Sequence, residues 1–116
     1  MHKKLTQQLV RARSKIDNIS LIKKFNLCGN DLTDVSIMSR MTNLEVVSLS
    51  VNKIRTLEYF SNLNRMKLLY LRDNKISEIN EIFHLQNCQA LTTLWLIDNP
   101  CTKMPNYRKI VIKILP

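Results

Sequence analysis

The chain has 116 residues, 45% of them hydrophobic and 23% charged, which suits one globular domain and is too apolar for a disordered segment. No apolar run reaches the roughly 18 to 20 residues that span a bilayer, the polar start Met1-His2-Lys3-Lys4 has no apolar signal core, and a single glycine excludes a glycine-rich phosphate loop. The net charge of +9 sits at the ends: residues 1–24 carry seven Lys/Arg against one Asp, residues 25–99 seven against eight acids, and residues 100–116 four against none. A nucleic-acid-binding surface gathers its charge along one groove or helix face. Specific nucleic-acid binding is therefore not expected, although basic ends can attract acidic partners.

At the start of the chain, Leu5, Leu9, Ala12 and Ile16 recur at helical spacing. Thr6 suits an N-cap, and Leu5 and Val10 suit the hydrophobic staple around it. Lys4, Gln8, Arg11 and Lys15 form a polar stripe beside the apolar one. The pattern predicts a basic amphipathic cap helix over residues 1–21, its apolar stripe closing the segment that follows rather than lying on a membrane.

Residues 22–99 carry an internal repeat. Asn30, Asn52, Asn74 and Asn99 each end the same apolar frame, LxxLxLxxN, at spacings of 22, 22 and 25 residues. Ile22, Phe25 and Leu27 lead to Asn30; Leu44, Val47 and Leu49 to Asn52; Met66, Leu69 and Leu71 to Asn74; Leu91, Leu94 and Leu96 to Asn99. A second apolar set follows three of them: Leu32 and Val35; Ile54, Leu57 and Phe60; Ile76, Ile79 and Ile82. This is the signature of a leucine-rich repeat. The predicted fold class is α/β, a solenoid of about four repeats with a short parallel sheet on its concave face. Each asparagine is expected inside a turn, its amide bonding backbone groups that would otherwise be stranded.

After Asn99-Pro100 the frame stops, and Tyr107–Leu115 is apolar and basic. Residues 100–116 are read as a closing helical cap, cut short because the apolar run ends abruptly at Pro116. The whole chain, 1–116, is thus read as a single domain, monomeric in isolation.

Catalytic chemistry is not indicated. His2 and His84 are isolated, the carboxylates form no metal-ligand cluster, and Cys28, Cys88 and Cys101 show no CxxC spacing. Three cysteines cannot all pair within one chain, so reduced thiols in a cytosolic setting are the simplest reading. No enzyme activity, metal or cofactor is expected.

The informative positions face outward. Side chains alternate along a strand, so the third, fifth and seventh positions of each frame project from the sheet. The third are Lys24, Val46, Leu68 and Thr93; the fifth Asn26, Ser48, Tyr70 and Trp95; the seventh Cys28, Ser50, Arg72 and Ile97. Tyr70 and Trp95 should be lateral neighbours, flanked by Leu68 and Ile97. Tyr70, Arg72, Trp95, Leu68, Ile97, Val46 and Ser48 are the candidate partner-binding residues, with the composition of an interaction hot spot. The competing expectation is that the C-terminal cap folds over Trp95 and Ile97.

The runs LEVVSLSVNKI (Leu44–Ile54), LYLRDN (Leu69–Asn74) and Leu94-Trp95-Leu96 followed by Asp98-Asn99-Pro100-Cys101 resemble the cilia- and flagella-associated protein 410 family. Pro105, Tyr107 and Arg108 with Leu115-Pro116 are similar to the start of that family's cap, and Leu5-Thr6 with Leu9-Val10 and Arg13 to its leading helix. Two departures stand out: Cys28-Gly29 replaces a frequent Trp-Gly, and the family's cap continues beyond the equivalent of Pro116. The resemblance implies a cytoplasmic and cytoskeletal protein of the ciliary or flagellar basal body, needed for cilium assembly. It also implies association with a NIMA-related protein kinase and oligomerisation through a helical C-terminal region outside this chain. A spliceosomal leucine-rich-repeat adaptor, and an axonemal dynein light chain or phosphatase regulator, are the alternatives that fold alone leaves open.

Overall fold

Four three-residue strands appear in chain order: β1 Lys24–Asn26, β2 Val46–Ser48, β3 Leu68–Tyr70 and β4 Thr93–Trp95. The computed structural model describes residues 3–109. The strands form one parallel sheet, β1-β2-β3-β4. Lys24, Val46, Leu68 and Thr93 stand in register, as do Asn26, Ser48, Tyr70 and Trp95. The equal frames set this register, because a one-residue slip would turn every buried leucine outward. Ladder bonds run on past the strands, with Leu27 N–H donating to Ser48 C=O at 3.0 Å, Leu49 to Tyr70 at 2.9 Å and Leu71 to Trp95 at 2.9 Å.

Behind the sheet lies a layer of 3₁₀ turns, Ser36–Arg40, Glu58–Phe60 and Ile79–Leu85. Between sheet and turns the frame residues form one continuous core, Phe25, Val47 and Leu69 buried against Leu32, Ile54, Phe60 and their neighbours, with Leu94 of β4 partly buried at its end. The core holds more than the expected set. Met38 and Leu85 extend the rung of the expected Phe60, and Met41, Leu63 and Cys88 form a further one, all fully buried. The expected third-repeat set needs correction. Ile79 is only partly buried, and the counterparts of Leu57 and Phe60 are Ile82 and Leu85. The three extra residues of that repeat lie between Ile76 and Ile82 and lengthen the turn. Glu81 from this insertion reaches back to the preceding repeat, its Oε1 accepting from Thr56 Oγ1 at 2.6 Å and Leu57 N–H at 2.8 Å.

The asparagines form a directional ladder. Asn74 Nδ2 donates to Leu49 C=O of the preceding repeat (3.1 Å) and to Leu71 C=O of its own (3.0 Å), while its Oδ1 accepts from Ile54 N–H (3.1 Å). Asn52 and Asn99 repeat the arrangement, reaching back to Leu27 and Leu71. Asn30 departs from it. With no earlier repeat to reach, its Nδ2 donates to Cys28 C=O at 2.8 Å, and the side chain stays half-exposed. The residue before each asparagine lies in the left-handed region: Gly29 (φ 70°), Val51 (58°), Asp73 (57°) and Asp98 (65°).

The N-terminal cap differs from a helix filling residues 1–21. Helix α1 covers only Gln7–Ser14, capped by Thr6, whose hydroxyl accepts from Leu9 N–H at 3.1 Å, and ended by Lys15 in the left-handed region. A 3₁₀ turn follows at Ile19–Leu21. Leu5 and Val10 are fully buried and Leu9 packs on the core, whereas Ala12 is exposed and Ile16 is 37% exposed. The apolar spacing fits a longer helix, but Thr6 fixes where it starts and Lys15 where it stops, so the face presented inward is Leu9–Val10. The segment before α1 pairs by a parallel bridge, Lys4 with Asp34, on the turn side of the first repeat. At the other end, Pro100–Lys103 forms a 3₁₀ turn that buries Cys101. Residues 107–109 are helical, and Tyr107 packs on the core. The remainder of the expected closing helix, 110–116, lies outside the described residues.

Candidate partner-binding face

The strands hold the candidate residues on one side because every second side chain points into the core. Tyr70 and Trp95, in register on β3 and β4, meet edge-to-face, their ring centroids 4.8 Å apart and planes at 72°. That arrangement is favoured by the ring quadrupoles. Trp95 is 51% exposed and Ile97 is 60% exposed. The described part of the cap, residues 100–109, leaves both side chains open, and the rest of the expected cap lies outside the described residues. Leu68 and Val46 are half-exposed beside the rings. Val46, Ser48 and Tyr70 join Lys24, Phe25 and Asn26 around a shallow hollow of about 340 Å³.

Arg72 is exposed and turned toward Asp98, with 3.8 Å between Nη1 and Oδ2. Asp98 was invisible to the alternation argument because it belongs to the left-handed turn after β4, not to an outward frame position. Lys24 and Asn26 belong to this face and were not among the candidate site residues. Their frame positions, third and fifth like Leu68 and Tyr70, were the signal. Cys28 is exposed on the same side, its Sγ 3.2 Å from Ser48 Oγ.

The face offers an apolar shelf and two cations, which suits capture of a partner's side chains. Among the described residues, no group of three or more His, Cys, Asp or Glu could hold a metal ion. His84 is partly exposed, 3.7 Å from Glu81. Burial pushes the thiols of Cys88 and Cys101 above their ordinary pKa, keeping them protonated. Among the described residues, no helix is long and apolar enough to cross a membrane.

No family model matches the chain. It is 44% identical over 115 residues to human cilia- and flagella-associated protein 410, covering 97% of this chain and 45% of that protein. The mouse protein of the same name is 43% identical over 115 residues, with 97% and 46% covered. The chain thus spans less than half the length of these curated relatives. Among solved structures, a leucine-rich-repeat protein of Leptospira interrogans superposes with a TM-score of 0.73 at 25% identity, covering 99% of this chain and 28% of that one. The chain is a leucine-rich-repeat solenoid, similar along nearly all of its own length to cilia- and flagella-associated protein 410.

Proposed function

We propose that the chain is a non-enzymatic protein–protein interaction module of a ciliary or flagellar protein, acting at the basal body in cilium assembly. Its open sheet face binds a protein partner, for which a NIMA-related kinase or a scaffold is the reading that the resemblance suggests. The observation that carries the proposal is the Tyr70–Trp95 pair, half-exposed Tyr70 against exposed Trp95, set on the sheet beside Leu68 and Ile97. Large aromatic surfaces held in place lose little entropy on binding and dominate interface energetics.

The test is Tyr70→Ala combined with Arg72→Glu in the full-length protein. The ion pair of Arg72 with Asp98 is exposed and contributes little to stability, so the melting temperature should move only slightly. Affinity for the kinase or scaffold, read by calorimetry, should fall about tenfold or more, or about 1.4 kcal/mol. Unchanged affinity in a folded double variant would reject this face as the site. Localisation of the tagged full-length protein checks the cellular reading: basal-body signal is expected, and nuclear or axonemal signal instead would favour the alternatives.

A further inference from the structure

The open face changes character from one end of the stack to the other. β1 contributes Lys24, Asn26 and Cys28, and β4 contributes Thr93, Trp95 and Ile97. None of the outward frame positions on the four strands is a carboxylate. Arg72 is offset by Asp98 at 3.8 Å. Lys24 is exposed, and no described carboxylate lies within ion-pair distance of it. The uncompensated positive charge on this face therefore sits at the β1 end, and the apolar shelf at the β4 end.

We propose that the occupant of this face is an acidic protein segment laid across the strands, with a bulky apolar side chain on Tyr70–Trp95 and a carboxylate over Lys24. The inference rests on the reading of the face as a partner site and adds the partner's chemistry and direction. The rings argue against a nucleic acid. Bases of a single strand stack on successive aromatic platforms, whereas Tyr70 and Trp95 stand at 72° and cover part of each other. Aliphatic Leu68 and Ile97 beside them suit an apolar side chain.

The geometry also sets a spacing. From Trp95 to Lys24 the path crosses three inter-strand gaps of about 4.8 Å and shifts two residues along the strand, roughly 15 Å in all. An extended segment covers that distance in about four or five residues, and a helix in about ten.

The experiment is selection of phage-displayed random peptides of about twelve residues, enough for either spacing, on the folded chain. Recovered sequences are expected to pair an acidic residue with a bulky apolar one at one of those spacings. Binding of the best synthetic peptide should weaken about tenfold or more with Tyr70→Ala and with Lys24→Glu. Selection on the Lys24→Glu chain should replace the acidic residue with a basic one. Peptides that need Tyr70 but ignore the reversal at Lys24 would overturn the acidic occupant while leaving the face as a binding site. Peptides indifferent to both changes, or none recovered, would overturn both readings. An oligo-dT strand that competes with the peptides and itself requires Tyr70 would overturn the proposal in favour of nucleic acid.

Discussion

Val51 holds φ at 58° in a position where its counterparts are glycine or aspartate. A β-branched residue is strained there, by about 1 to 2 kcal/mol. The side chain is 41% exposed, so little packing is lost on replacing it. Val51→Asn is expected to stabilise the chain by about 1 kcal/mol, seen as a melting point about 4 °C higher. This strain was not legible in the sequence, because the frame marks the asparagine and not the conformation of the residue before it. The cysteines give a second test. A thiol reagent should titrate Cys28 at once in the folded protein and reach Cys88 and Cys101 only after unfolding, since Cys28 is exposed and the others are buried. Early labelling of all three would contradict the packing. Because both buried thiols have raised pKa values, their contribution to stability is complete below the ordinary thiol value of 9.0. It should be lost as pH rises through the higher folded values.

At the scale of the element, the four asparagines look alike in sequence and differ in structure. Asn74→Ala would leave the buried Ile54 N–H without a partner and take one of two amide donors from each of Leu49 C=O and Leu71 C=O, which keep Asn52 and Asn99, at a cost of about 2 to 3 kcal/mol. Asn30→Ala removes a single bond at a half-exposed site and should cost about 1 kcal/mol. Chemical denaturation of the two variants compares them directly, and equal losses would contradict the ladder. The strands and their register were readable because equal frames leave one pairing that turns all the frame positions inward together. The Tyr70–Trp95 contact followed from that register. The length of α1 was not readable, because lysine at position 15 gives no sign of the left-handed residue that ends the helix. Nor was the Ile79 exchange, since an insertion of three residues in an apolar-rich turn leaves several alignments of Ile76, Ile79 and Ile82 open. The hollow beside Lys24 arises from side chains on three strands, which no local pattern records.

For the whole molecule, ion pairs and hydrogen bonds bind each repeat to the next. Asp31 pairs with Lys53, Glu45 with Lys67, and Arg72 with Asp98. These exposed pairs add little each, so cohesion rests on the continuous core and the ladder. Leu71 is fully buried between repeats. Leu71→Asp would bury a carboxylate without a partner and should unfold the stack, at a cost of several kcal/mol. Calorimetry should show the native transition abolished or shifted far down, and a shift of only a degree or two would remove Leu71 from the core.

The backward reach of the asparagines has a consequence for the chain as it leaves the ribosome. The turn after each strand is completed by an amide that arrives one repeat later: Leu32 and Ile54 N–H wait for Asn52 and Asn74, and Ile76 N–H waits for Asn99. Each newly made repeat therefore seals the one made before it and is itself left open until its successor emerges. A nascent chain stalled before Asn99 has Ile76 N–H and Leu71 C=O without that amide. Co-translational folding of this protein should therefore run at least one repeat behind synthesis, with the open end the most recently translated.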